Sequence, residues 1–495
     1  MKHFKILIDY YNPNITKPDE YSYRYSELKR YVRELVMDEI EFVEVEYDPA
    51  HFLTLTKGRE EDREGGARCT LCFDDRLSYT AKKCIEYGCD YFATTLTISP
   101  LKNAEVINTV REAAQFGVTT GEVSVDYSVA FARKEEVVKQ LRDGVAMLMG
   151  GDGITVVNGE ARFVDAKTIE VAGEQYTAPA IVIATGSIPR GLPIEGADLA
   201  MTSDDILAMQ ELPKSLCIVG GGVIGMEFAG VFSSFGVEVT VIEFMKEILP
   251  PFDKDIAKRL KTVMSKRGVN ILTQAAVNGI HKTDNGLEIT FDHKGKAKSV
   301  VAEKVLMSVG RQAVLPEGLE AAGVETSRRG IEVDENMMTN VEGIYAIGDV
   351  NGRCMLAHAA SAQGSVALAH ILGEKCRIRL DIVPSAVFTT PELAMVGLTE
   401  QQCEDQGIEV VTAKSFFRSN GKAVAMGETD GMVKLIVSSE DLTIVGCHIC
   451  GPHAADLIQE AVTAMNANMP VTRMAQAIHG HPTLSEVVMA AAKQF

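Results

Sequence analysis

Three groups of residues in this chain have types and spacing that could do chemistry. The first is Ile478-His-Gly-His-Pro-Thr-Leu-Ser-Glu486, which places two imidazoles and a carboxylate close together. An imidazole titrates near neutrality and can carry a proton during a reaction, while a carboxylate on its other ring nitrogen favours the imidazolium. His481 is therefore a candidate base with Glu486 as its orienting partner. A plainer role fits the same spacing, because Thr483 and Glu486 stand at capping-box separation ahead of a helix running to Lys493. The second group is a glycine loop. Ser215-Leu-Cys-Ile-Val219 is an apolar strand that runs into Gly220-Gly-Gly-Val-Ile-Gly225 and then a helix from Met226 to Phe235. A second strand, Glu238 to Ile242, ends at Glu243, about 20 residues past the loop. Gly220 permits a tight turn, Gly222 lets backbone approach a pyrophosphate, and Gly225 lets helix and strand pack closely, with the helix N-terminus attracting the anion. Glu243 can accept from a ribose diol and would repel a 2′-phosphate, so the loop points to NAD rather than NADP.

Cysteines form the third group. Cys69 and Cys72 have a spacing that can chelate one metal centre at a helix start, but a pair of free thiols is the plainer reading. Two thiolates do not complete an iron–sulfur cluster that takes four protein ligands, so a cluster is disfavoured. Cys84 and Cys89 stand five apart at a helix end. Cys447-His-Ile-Cys450 falls in a strand, where positions three apart face opposite ways, and reads as buried structure rather than a site.

Elements must position these groups. Short strands are expected at Phe4 to Tyr10, Glu41 to Tyr47 and Asp90 to Leu96, with helices at Glu20 to Met37 and Asp74 to Tyr87, a small β-α-β pattern. A long helix is expected around Glu135 to Met149, followed by strands at Ile154 to Val157 and Ile181 to Ala184. An Ala-rich helix covers Ala357 to Leu372. After Pro384, strands at Val433 to Val437 and Ile444 to Ile449 precede two helices.

Bulk properties bound the function. The 495 residues are 46% hydrophobic and 24% charged, and the net charge is −19. That length suggests roughly three or four domains, and the composition is that of a globular protein. The acidity disfavours a nucleic-acid surface over the whole molecule. No run of about 18 uncharged apolar residues is present, so no membrane association is expected. Asp9 interrupts any signal-peptide core, and the expected location is cytoplasmic.

Beyond the loop, further strings resemble one family. From about Ala104 to Phe495 the chain is similar to dihydrolipoamide dehydrogenase, of the pyridine nucleotide–disulfide oxidoreductase family. Ile183-Ala-Thr-Gly-Ser187 resembles the turn that closes the first part of its FAD domain, implicating Thr185 and Gly186. Gly343-Ile-Tyr-Ala-Ile-Gly-Asp349 resembles the second FAD motif, with Asp349 at the ribityl or phosphate region. Leu356-Ala-His-Ala-Ala360 resembles the segment against the isoalloxazine, implicating Ala357. Ser308-Val-Gly-Arg311 resembles an edge of the nicotinamide site, implicating Gly310. Pro391-Glu-Leu-Ala-Met-Val-Gly397 resembles the opening of the dimerisation domain. The resemblance implies FAD and NAD as cofactors, a homodimer in which His481 serves the partner subunit, and a lipoyl domain of a 2-oxoacid dehydrogenase or glycine cleavage complex as partner.

Two family features are missing: a first glycine loop for the FAD pyrophosphate, and a C-x-x-x-x-C pair in its usual glycine and lysine context. Residues 1–103 instead resemble iron–sulfur epoxyqueuosine reductases that do not use cobalamin. The matching strings are Tyr10-Tyr-Asn-Pro-Asn-Ile15, Arg68-Cys-Thr-Leu-Cys72 with Arg76-Leu77, and Phe92-Ala-Thr-Thr-Leu-Thr-Ile-Ser-Pro-Leu-Lys102. That resemblance implies metal ligation by Cys69 and Cys72 and, as an alternative function, truncated tRNA modification.

The expected chain is thus a chimera, from recombination or an assembly artefact. Its fold class is α/β, with Rossmann-like FAD and NAD domains plus an α+β dimerisation domain, preceded by a small α/β fragment. The expected boundaries are 1–103 for the fragment, 104–190 and 312–380 for an FAD domain lacking its N-terminal half, 191–311 for the NAD domain, and 381–495 for the dimerisation domain. The expected function is electron transfer from a dithiol through FAD to NAD⁺, impaired by the missing parts. A non-catalytic NAD-binding dimer is the other alternative.

Overall fold

The computed structural model describes residues 124–495, together with short pieces of what precedes them. The chain divides into two compact units, Met1–Thr97 and Ile98–Phe495. In the first, strands Ile6–Ile8 and Ile40–Phe42 pair in parallel, with Ile6 opposite Ile40. Of the expected helix Glu20 to Met37, Ser22 and Ser26 are described and helical; the remaining elements expected before residue 104, and Cys69, Cys72, Cys84 and Cys89, lie outside the described residues.

The second unit begins with helix Tyr127–Met149, whose Asp126 N-cap accepts from Ser128 N–H at 2.9 Å. It starts eight residues before the expected Glu135, because Asp126 and Ser128 supply a start signal that apolar periodicity alone does not register. Its first turns dock on the nucleotide unit. The Tyr127 hydroxyl donates to Met209 O at 3.2 Å, and its ring meets Phe235 edge-on at 5.3 Å.

The nucleotide unit is a parallel four-stranded sheet in the order Asn270–Thr273, Glu238–Glu243, Ser215–Val219, Lys304–Met307. The central strands are almost wholly apolar, as expected where both faces are covered. Helix Val223–Ser234 packs Met226, Ala229 and Phe232 into this core. An antiparallel meander, Ala275–Thr283, Gly286–His293 and Lys296–Ala302, closes the other face through Ile280, Ile289 and Phe291.

The C-terminal region is a five-stranded antiparallel sheet ordered Ser385–Val387, Glu392–Gly397, Ile444–Gly451, Met432–Ser438, Val410–Phe416. Helices Ala454–Asn466, Val471–Gln476 and Glu486–Ala492 bury Ile458, Val471 and Val488 on it. The two regions share one core, in which Val387, Leu393, Met432 and Cys450 pack with Ile248, Phe252 and Ile256. Cys447 belongs to the other face of the sheet, with Leu435 and Ile449. The two thiols of the C-x-x-C thus do face opposite ways, and burial raises both, Cys450 to about 12.

Between these regions lie smaller pieces. Ile181–Ile183 pairs in parallel with Ile344–Ala346, and Ser187–Pro189 pairs antiparallel with Arg311–Ala313. The strand expected at Ile154 to Val157 is absent: those residues are coil, with Ile154, Val156 and Val157 exposed. An apolar strand needs a neighbour, and none among the described residues supplies one.

Candidate functional site

The glycine loop is built as its spacing demands. Gly220 adopts φ +108°, and a Cβ there would stand 2.4 Å from Ser308 O. A Cβ on Gly225 would stand 2.1 Å from Gly220 O, so that position admits only glycine in this packing. Gly222 differs: it is the N-cap of helix Val223–Ser234, carries no side-chain cap bond, and faces open space. An open helix N-terminus on a parallel sheet is where a pyrophosphate binds, so the residues present fit a dinucleotide.

Glu243 is 6% exposed at the end of the second strand. Its Oε2 accepts from Gly221 N–H at 2.6 Å and its Oε1 from Met245 N–H at 2.6 Å. The carboxylate therefore locks the loop to the strand end, a task the sequence reading did not assign to it. Each oxygen keeps a further lone pair for a ribose hydroxyl. Ser308 completes the lock, its hydroxyl within bonding distance of Val219 O and Gly220 O, at 3.1 and 3.0 Å.

Three motif ends meet around Asp349. Ser187 Oγ donates to Asp349 Oδ2 at 2.6 Å, and Arg311 donates to Ser187 Oγ and Ser187 O, both at 2.7 Å. Gly186, at φ +72°, accepts from Val314 N–H, and the Thr185 hydroxyl donates to Val314 O. Gly310, at φ +107°, accepts from Arg190 N–H at 2.9 Å. Behind Asp349, the buried Gln363 accepts from Gly348 N–H at 2.7 Å and from Asn351 Nδ2 at 2.8 Å. Ala357 opens helix Ala357–Ile371, which carries Gln363. Sequence reasoning missed the connecting roles of Ser187, Arg311 and Gln363. The first two close their motifs, and that position was the available signal.

The histidine loop forms the His–Glu pair but not the capping box: the last helix starts at Glu486 with Ser485 as its N-cap. His481 Nδ1 lies 3.0 Å from Glu486 Oε1, while Glu486 Oε2 accepts from Thr483 N–H at 2.9 Å. The Thr483 hydroxyl donates to Gly480 O rather than returning a capping bond to Glu486. The Thr483 amide, and then His481, hold the Glu486 carboxyl below its usual range. His481 is 78% exposed, and its Nε2 has no hydrogen-bond partner among the described residues. His479 is tied elsewhere, its Nε2 2.7 Å from Glu460 Oε1. Asn420 braces the loop by donating to Thr483 O at 2.9 Å. No hydrogen bond within the chain joins this loop to the Gly220 loop or to Asp349 among the described residues.

Comparison with known proteins decides the lineage. The family model described as pyridine nucleotide-disulphide oxidoreductase matches residues 78–364, more than half of the chain. The chain belongs to this family. The family's dimerisation domain matches residues 383–492. Dihydrolipoyl dehydrogenase of Geobacillus stearothermophilus is 40% identical over 390 residues, covering 77% of this chain and 83% of that protein. The Chlamydia pneumoniae enzyme of the same name is 37% identical over 426 residues, covering 85% and 90%. Among solved structures, the HOCl-induced flavoprotein disulfide reductase RclA from Escherichia coli superposes with a TM-score of 0.70 at 28% identity, over 83% of this chain and 90% of that one.

A second family model, epoxyqueuosine reductase QueH, matches residues 1–143. This match supports a chimeric origin, and it overlaps the oxidoreductase match from residue 78 to 143. The oxidoreductase match reaches upstream of Ala104 and takes in Cys84 and Cys89. Flavin and pyridine nucleotide are the cofactors of the oxidoreductase family. No helix among the described residues is long and apolar enough to cross a membrane.

Proposed function

We propose that this chain is a dihydrolipoyl dehydrogenase-like homodimer that binds NAD, keeps part of a flavin site and a working base, and lacks dithiol turnover. The observation that carries the reading is the His481–Glu486 pair: one ring nitrogen is bonded to a carboxylate at 3.0 Å and the other is open. Such an imidazole can take a proton from a dithiol of a neighbouring molecule, and its exposure suits service to a partner subunit. The Gly222 end of helix Val223–Ser234 would hold the pyrophosphate of NAD, and Glu243 its ribose. Gly310 would border the nicotinamide. Asp349, oriented through Ser187 and Arg311, would hold the ribityl or phosphate region of FAD, with Thr185, Gly186 and Ala357 bordering it. When bound, a flavin supplies electron-pair transfer between a disulfide and nicotinamide.

The impairment follows from sequence. No glycine loop precedes Ala104, and the cysteine pair lacks its family context. An intact system would serve a lipoyl domain of a 2-oxoacid dehydrogenase or glycine cleavage complex. Cys69 and Cys72 alone would not hold an iron–sulfur cluster, which counts against the tRNA alternative.

One observation favours a second reading. The oxidoreductase match takes in Cys84 and Cys89, which stand five apart as a C-x-x-x-x-C pair does. Dihydrolipoamide-dependent NAD⁺ reduction with added FAD separates the readings. The first predicts a dimer with no turnover. Turnover abolished by Cys84→Ser would establish the second and refute the first.

A further inference from the structure

Residues 373–384 carry the chain from helix Ala357–Ile371 to the first strand of the C-terminal sheet, Ser385–Val387. They form neither strand nor helix, yet side chains anchor them at two points. Arg379 Nε and Nη2 donate to the two oxygens of Asp381 at 3.3 and 2.6 Å. Its Nη1 donates to Met465 O at 3.2 Å and Asn468 Oδ1 at 2.9 Å. Of the guanidinium's N–H groups, one on Nη2 is left over. At the other anchor, His358 Nε2 lies 2.7 Å from Pro384 O.

These anchors border a cavity of about 480 Å³ between helix Ala357–Ile371, this segment and the end of helix Ala454–Asn466. Its lining has two parts. Ala359, Ala362, Leu380, Ile382 and Val383 make an apolar wall, in which Ala359 is 1% and Ile382 6% exposed. Arg377 and Arg379 supply the charge. Arg377 is exposed, and its guanidinium has no hydrogen-bond or ion-pair partner among the described residues. No Asp or Glu lines the cavity, in a chain that holds 68 Asp and Glu against 49 Lys and Arg.

That combination selects by chemistry. A guanidinium without a counter-charge, beside a second that keeps one N–H, matches the two oxygens of a carboxylate. The apolar wall favours a hydrocarbon body that leaves water on binding. An inorganic anion would leave this wall unfilled, and a neutral hydrocarbon would leave Arg377 unpaired. The volume lies within the roughly 300–1,000 Å³ of small-molecule sites. The lining shares no residue with the Gly220 loop, the Asp349 relay or the His481 pair.

We propose that this cavity is a binding site for a small amphipathic carboxylate, its short aliphatic body against Ile382 and Ala362 and its carboxylate held by Arg377 and Arg379. The wall and Arg379 are preorganised by the bonds to Asp381, Met465, Asn468 and Pro384, so binding orders little besides the Arg377 side chain.

The test is calorimetric titration of the full chain with octanoate, in the presence and absence of NADH. One saturable site is expected, at least about ten-fold tighter than for acetate or octan-1-ol, weakened by salt and unaffected by NADH. Arg377→Gln should weaken octanoate about ten-fold or more, and Arg377→Lys, which keeps the charge but not the fork, should recover part of the loss. Because Arg377 is exposed, neither variant should move the melting curve. Ala362→Leu fills the cavity and should weaken octanoate without any change of charge. Failure to bind octanoate, or equal binding of octan-1-ol or acetate, would overturn the proposal. So would displacement of octanoate by NADH, or affinity undiminished in both Arg377→Gln and Ala362→Leu, since each would place the ligand elsewhere. A second copy as the true occupant would also overturn it, and would appear as a change of oligomeric state in Ala362→Leu with no octanoate bound by the parent chain.

Discussion

The nucleotide unit around Gly220 and the flavin region around Asp349 use the same parts, parallel strands whose carboxyl ends lead into glycine turns. In the nucleotide unit these strands form a four-stranded sheet, covered by helix Val223–Ser234 on one face and a meander on the other. In the flavin region they form, among the described residues, a pair with an open edge at Val182. The comparison teaches that polar motifs and apolar scaffold are separable. Asp349, Ser187 and Arg311 keep an ordered relay although the sheet beneath them has only two strands among the described residues. A motif can therefore persist where the layer that would bury its ligand does not.

The largest expected effect would break the closed half of the comparison. Lys434 is fully buried between the C-terminal sheet and the nucleotide unit. Its Nζ contacts both oxygens of Asp253 at 3.0 and 2.9 Å, Asp255 at 2.9 Å and Glu400 at 2.7 Å. Lys434→Met strands those carboxylates and should lower stability by about 3–5 kcal/mol in urea unfolding. The same cluster fixes an acid limit. Burial pushes the Asp255 carboxyl up, but hydrogen bonds from Lys414 and Lys434 outweigh it and hold it at about 2, below its ordinary 3.8. A depressed carboxyl contributes stability that is present above its unfolded value and lost as pH falls through the folded one. The native chain should therefore lose this contribution between about pH 4 and 2, and in Lys434→Met the loss over that range should be smaller, because Asp255 then titrates closer to its unfolded value.

A glycine pair sharpens the comparison within the loop. Gly225→Ala drives a Cβ to 2.1 Å from Gly220 O and should cost roughly 2–4 kcal/mol of stability. Gly222→Ala points into open space and should leave the melting curve in place. Its effect should instead fall on NADH affinity, weakened about ten-fold or more in calorimetric titration. Equal effects on stability would show that the Gly222 site is structural. The smallest stability effect is expected at His481. Its side chain is exposed, so His481→Ala should shift unfolding by no more than about 0.5 kcal/mol while removing the proposed base. A larger shift would mean that the loop is mainly a helix cap.

The nucleotide unit was largely legible in the sequence because its signals are local. The strand expected at Ser215–Val219 is found there, and the second runs Glu238–Glu243. The opposite facing of Cys447 and Cys450 followed from strand alternation alone. The loss of the expected strand at Ile154 to Val157 was not legible, because a strand depends on a neighbour far away in sequence. Nor was the lock made by Glu243, since a carboxylate at a strand end reads as a ligand contact until its amide partners are seen. The Lys434 cluster stayed hidden for the same reason: its members come from positions 253, 255, 400 and 434, which no local pattern connects.

The contrast between a closed nucleotide unit and an open flavin region is tested most directly by titrating the purified full chain separately with NADH and with FAD. After desalting, the 450 nm flavin band and NADH–dye reduction are read. The account predicts saturable NADH binding, no retained flavin band and no dye reduction. A chain that keeps FAD through desalting and reduces dye with NADH would contradict it, and would mean that the Asp349 half-site is closed after all.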